Sequence, residues 1–156
     1  MTGSIGGGAE MICLHELPNA PTSFSGTKSY IHGVEYEFAG APFSTGNNGG
    51  NSLLNNDMPC VVCQAMEERT AQFMLPGRNV CPPSWITEYY GYLVAPADGY
   101  QKGTYTCLDN APEVISVGSA SVNPCMIWPV GVECDSAVPC PPYSPGNAIP
   151  CAVCTK

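Results

Sequence analysis

Two short motifs, Pro59-Cys60-Val61-Val62-Cys63 and Pro150-Cys151-Ala152-Val153-Cys154, each set two thiols three positions apart. That spacing serves zinc knuckles, dithiol redox centres and structural cross-links alike. Zinc ribbons hold their knuckles roughly 15–20 residues apart, whereas here the gap is several times longer and crowded by other cysteines. A redox role is disfavoured because neither motif opens a helix and nothing nearby would stabilise a thiolate. Cross-linking fits best: the cysteines at 13, 60, 63, 81, 107, 125, 134, 140, 151 and 154 are even in number, which allows complete pairing in an oxidising, extracellular compartment.

Other reactive side chains point away from catalysis. The two histidines, His15 and His32, belong to no motif that supplies a nucleophile, and no GxSxG, HExxH or phosphate loop occurs. Glu35 and Glu37 resemble a glycosidase pair only superficially, since alternating glutamates on a strand commonly face solvent together. The chain therefore reads as a binder and not an enzyme. With 13 acidic against 5 basic residues its formal net charge is −8, and Lys28, Arg69, Arg78, Lys102 and Lys156 are scattered, which excludes a phosphate-backbone partner. No apolar run approaches the ~20 residues of a membrane-spanning helix, so no membrane insertion is expected. Residues Met1 to Gly8 lack the apolar region of a secretory signal, and the chain reads as a trimmed mature segment.

The elements that must position these groups are short. With 17 glycines and 16 prolines in 156 residues, long helices are unlikely and turn-separated strands are favoured. β-branched and aromatic runs predict strands at Ser29–Ile31, Val34–Phe38, Thr70–Leu75, Tyr89–Val94, Thr104–Leu108, Val114–Val117 and Met126–Val132. Long irregular stretches lie at Phe43–Asn51 and Ser136–Asn147. The expected fold is mostly β: one small disulfide-rich extracellular domain over residues 1–156.

Self-similarity divides that domain. Cys13-Leu14 and Cys107-Leu108 each follow a glycine-containing approach; His32-Gly33-Val34-Glu35-Tyr36-Glu37 aligns with Trp128-Pro129-Val130-Gly131-Val132-Glu133; and Met58-Pro59-Cys60-Val61-Val62-Cys63 aligns with Ile149-Pro150-Cys151-Ala152-Val153-Cys154. Two diverged internal repeats result, one at about 6–66 and one at about 80–156, with a linker at 67–79 ending in turn chemistry at Pro76-Gly77. The first repeat is truncated, lacking a counterpart of Cys81 and the aromatic stretch that follows it. If Cys81, Cys107, Cys151 and Cys154 bridge within repeat two, then Cys13, Cys60 and Cys63 leave one thiol over. Cys134 and Cys140 suit a local loop. Cys125 is then the mate of the leftover thiol, either within the chain or between chains, although spacing alone does not fix connectivity.

Cys81-Pro82, the block Glu88-Tyr89-Tyr90-Gly91-Tyr92, Thr106-Cys107-Leu108-Asp109, Pro112-Glu113, Cys140-Pro141-Pro142-Tyr143 and the final Pro150–Cys154 motif together resemble the C-terminal region of the short-chain collagen-like proteins of marine invertebrates. That family includes a sea-anemone lectin that binds galactose with calcium. The chain departs from the family in its missing first opening, in Leu53-Leu54-Asn55-Asn56-Asp57 where histidines are usual, and in the additional Cys125. The resemblance implies a secreted, calcium-dependent lectin for glycans with terminal galactose. Calcium takes 6–8 oxygen ligands, and Asp57, Asp109, Glu113 and Glu133 are the candidates, with Glu35 and Glu37 beside them. Asn55, Asn56, Trp85 and Trp128 would contact the sugar. Asn56, Asp57 and Asp109 also suit turns, and Trp85 suits a core. The alternative role is a structural extracellular-matrix or filament-forming module, a homo-oligomer held by disulfides.

Overall fold

A computed structural model describes residues 8–19, 22–27, 29–45, 52–66, 68–115, 125–134 and 138–156. These contain six strands and no helix: β1 (Glu35–Tyr36), β2 (Gln72–Pro76), β3 (Ile86–Ala95), β4 (Thr106–Asp109), β5 (Met126–Pro129) and β6 (Pro150–Thr155). They form one sheet in the order β1-β5-β3-β6-β2, with β4 on the far edge of β3. β3 organises it. Gly91 and Tyr92 pair with β4 on one side and with β6 on the other, and Val94 and Ala95 continue into β5 on the β6 side. All pairs are antiparallel except β1 with β5.

Both faces of the sheet are covered, which explains why β6 reads as an unbroken buried run instead of alternating. Leu93, Cys107, Cys151 and Val153 share one face with Met74 and Tyr89. Their neighbours along the strands point the other way. Val94, Leu108 and Ile127 pack there with Tyr36, Phe38, Phe43 and Leu53 from the first third of the chain. Further along that face Ala152, Cys154 and Cys81 pack with Phe73, Leu75 and Trp85. Among the described residues the first third of the chain thus supplies β1 and an aromatic cover, in which Phe38 stacks on Phe43 at 5.1 Å and Phe43 meets Tyr92 edge-on at 5.3 Å.

Four disulfides pin this arrangement: Cys13–Cys60, Cys81–Cys154, Cys107–Cys151 and Cys134–Cys140. The local Cys134–Cys140 loop and the bridging of Cys81, Cys107, Cys151 and Cys154 among themselves agree with the sequence. Complete pairing does not hold, because Cys63 and Cys125 are free thiols. Cys13–Cys60 joins the same two motif positions as Cys107–Cys151. In sequence Cys63 aligns with Cys154, whose partner is Cys81.

Three strand expectations need correction. Ser29–Ile31 forms no strand, and Tyr30 and Ile31 stay about two-thirds exposed without a sheet partner among the described residues. Val114 and Ile115 form none either, while residues 116 and 117 lie outside the described residues. Strand β6 was hidden within a motif that reads as a staple; its proline stands at the first strand residue, where a missing N–H is tolerated.

At the outer end of β6, Glu88 accepts hydrogen bonds from both Arg69 and Thr155, and Arg69 Nη1 also donates to Thr155 Oγ1 at 3.2 Å. The Thr155 hydroxyl is the main cause holding the Glu88 carboxyl below its ordinary 4.5, with Arg69 adding to it against partial desolvation. A carboxyl depressed in the folded state contributes stability at pH above its unfolded value, lost as pH falls through its folded value. The melting-temperature gap between the native chain and Glu88→Gln is therefore expected to be open at neutral pH and to close below pH 4.5. A gap independent of pH in thermal melts would show that Glu88 acts by packing alone.

Candidate functional site

The turn after β2 and the loop before β6 meet at one end of the sheet. Gly77 leaves β2 with φ +85°, a left-handed conformation suited to glycine, and its N–H donates to the Pro150 carbonyl at 2.7 Å. Opposite, the Cys134–Cys140 bridge ties off a loop that returns through Gly146, whose N–H donates to the Val132 carbonyl at 3.2 Å, and through a bridge between Ala148 and Gly131. Tyr143 lies across Gly77, since a Cβ built there would fall 2.6 Å from the tyrosine hydroxyl.

Between these segments runs a shallow groove of about 640 Å³, flanked by Arg78, Asn79, Tyr92 and Asn147. It continues into a smaller recess of about 310 Å³ beside Tyr143 and Ser144. Arg78, Asn79, Ser144 and Asn147 are exposed, and Tyr92 and Tyr143 half-buried. Chemically this is a set of neutral donors and acceptors plus one guanidinium beside aromatic rings. Among the described residues, no carboxylate lines either part.

The residues expected to bind from sequence lie elsewhere. Asn55 adopts φ 61° in a turn beside β1, where the Asn56 side-chain amide donates to the Ser52 and Leu54 carbonyls at 3.2 and 3.1 Å. Trp85 meets Phe73 edge-on at 4.6 Å and packs on the Cys81–Cys154 cluster, a core position. Trp128 lies 5.2 Å from Tyr100, ring centre to ring centre, on β5. None of the four lines the groove.

The candidate calcium ligands do not assemble. No three His, Cys, Asp or Glu side chains gather as a metal centre among the described residues. Asp109 Oδ1 accepts the Ala111 N–H at 2.7 Å, closing a turn at the end of β4. Asp57 pairs by main chain with Glu35 and accepts the Ile115 N–H at 3.1 Å, while the Glu113 carbonyl accepts the Tyr36 hydroxyl at 3.0 Å. Burial pushes the Tyr36 hydroxyl well above its ordinary range, and the Glu113 carboxylate adds to that. Glu133 follows β5 and is exposed. Among the described residues these four are not gathered into the 6–8 converging oxygens that a calcium ion asks for.

No family model, no curated protein and no solved structure matches this chain. The fold and the groove therefore stand on their own geometry. Sequence reasoning missed the groove because its polar residues, Arg78, Asn79, Ser144 and Asn147, come from two turns far apart in the chain. The one signal available was turn chemistry at Pro76-Gly77 and Pro145-Gly146.

Four disulfides, and no helix long and apolar enough to cross a membrane among the described residues, are compatible with an extracellular protein.

Proposed function

We propose that this chain is a secreted carbohydrate-binding domain that takes a neutral sugar, galactose in the first instance, in the groove between Gly77–Asn79 and Tyr143–Ala148. The observation that carries this reading is the lining itself: Arg78, Asn79 and Asn147 beside Tyr92 and Tyr143. Vicinal hydroxyls both donate and accept, so amide side chains and a guanidinium fork match them in pairs. An aromatic ring covers the apolar C–H face of the sugar. A neutral ligand also suits a chain of formal net charge −8, which would repel anionic glycans. Galactose itself rests on the family resemblance in the sequence.

Among the described residues no carboxylate lines the groove, so this reading calls on the amides, the guanidinium and the aromatic rings and not on an ion. Binding to a glycan array is expected to persist in a chelator. Asn147→Ala is expected to weaken it at least tenfold, about 1.4 kcal/mol, with the fold unchanged because Asn147 is exposed. Silence on the array with and without calcium sinks the reading. Binding lost on chelation but indifferent to Asn147 would move the site out of this groove. A second reading, the matrix or assembly module, is favoured by the free thiol at Cys63 and the exposed segment that carries it.

A further inference from the structure

We infer that the segment Pro59–Cys63 is a docking edge for a second copy of this chain, closed by a disulfide between the two Cys63 residues. Its aligned counterpart shows what such a segment is like when complete. Pro150–Cys154 lies inside β6, paired with β2 on one edge and β3 on the other, with Cys154 wholly buried and bonded to Cys81. Pro59–Cys63 has none of this. Every residue in it is exposed, Val61 at 77% and Val62 at 81%, and its main chain makes no hydrogen bond to another described residue.

The segment is nonetheless held in place. Met58 N–H donates to the Val34 carbonyl at 2.8 Å, and Cys60 is bonded to Cys13. An anchored row of unpaired main-chain groups flanked by bare valines is a ready template for another strand. Its charge also selects the partner. Met58 to Met66 carries no ionisable side chain apart from the thiols, so two molecules of net charge −8 meet there with less repulsion than over their acidic surfaces. Two-fold contact of one patch with itself is the commonest way identical chains associate, and such a contact can bring each Cys63 to its mate.

The chemistry is thiol–disulfide exchange with a small-molecule disulfide such as oxidised glutathione. One Cys63 thiolate attacks it, forming a mixed disulfide and releasing one small thiol. The second Cys63 thiolate then attacks the Cys63 sulfur of that mixed disulfide, forming the interchain bond and releasing the other small thiol. Two protein thiols become one disulfide, and one small disulfide becomes two small thiols. The other free thiol, Cys125, is half-buried, and burial pushes its pKa up and so disfavours the thiolate, so it competes poorly.

The full chain is incubated in a glutathione redox buffer, then resolved by non-reducing and reducing gels, light scattering and peptide mass mapping. Twice the 16.4 kDa chain mass, linked Cys63 to Cys63, is expected. Cys125→Ser should retain the dimer, Cys63→Ser should lose the covalent band, and Val62→Asp should cut the dimer fraction at least tenfold. These positions lie outside the sugar groove, so glycan binding by the monomeric variants reads the two ideas separately. A chain monomeric throughout, a dimer linked through Cys125, or Cys63 recovered only as a glutathione adduct overturns the inference.

Discussion

Gly91→Ala is expected to prevent the native sheet from forming. A Cβ at this position would fall 1.8 Å from the Leu108 carbonyl oxygen and 2.8 Å from the Asn110 nitrogen, both main-chain atoms that cannot swing aside. Strand β4 therefore runs where a side chain of β3 would stand, a use of glycine that only close backbone approach explains. That approach also brings Cys107 of β4 to a Cα separation of 5.8 Å from Cys151 of β6, although the two strands flank β3 on opposite edges. One methyl group would thus oppose the ladder and the staple together. The loss should exceed about 4 kcal/mol, the exceptional end of single substitutions, and appear as absent cooperative melting or failed secretion. Gly33→Ala, which meets nothing within 4 Å, is the control and should stay within about 0.5 kcal/mol of the native chain. Equal behaviour of the two variants would refute this account of β3.

The paired substitution Cys107→Ala with Cys151→Ala should be nearly as damaging, whereas Cys134→Ala with Cys140→Ala should be mild. The first bridge spans 44 residues of sequence and the second 6. On chain entropy alone these loops are worth about 4 and about 2 kcal/mol respectively. The gap widens further because Cys107 and Cys151 are buried at 4% and 0% exposure, so their removal also opens the core. Denaturant unfolding of both variants under identical conditions gives the comparison. If losing the short loop costs more than losing the long one, cross-linking is not what holds the sheet. The short bridge closes a loop that leads to Asn147, and on the proposed sugar-binding reading affinity should fall in its absence more than stability does.

The strands that carry β-branched or aromatic runs were legible from the sequence: β1, β2, β3, β4 and β5 fall within or overlap the expected segments, because those side chains fill both faces of one sheet. Ser29–Ile31 shows the limit. Its residues have the right propensity, but strand formation needs a partner edge, which local composition does not encode. Pro150–Thr155 fails in the opposite sense, as its cysteines and alanine look like a cross-linking motif while their burial on both edges makes them the most enclosed strand. The site was less legible than the fold. Asn55, Asn56 and Asp57 attract notice as a polar run, yet such runs build turns by satisfying their own backbone, as the Asn56 amide does. Arg78 and Asn147 draw none, being isolated in sequence, and their turns are brought together by the hydrogen bond from Gly77 to Pro150 and by Tyr143 lying across Gly77.

The order of strands in the sheet also sets an order of events in the cell. Strand β6 separates β2 from β3 and is the last of the six to leave the ribosome, so the earlier strands emerge without the neighbour that joins them. Cys81 and Cys107 must wait as thiols until residues 151 and 154 arrive. Closure of the sheet consequently waits on residues 150–155, and a chain cut before them would lack the strand that joins β2 to β3.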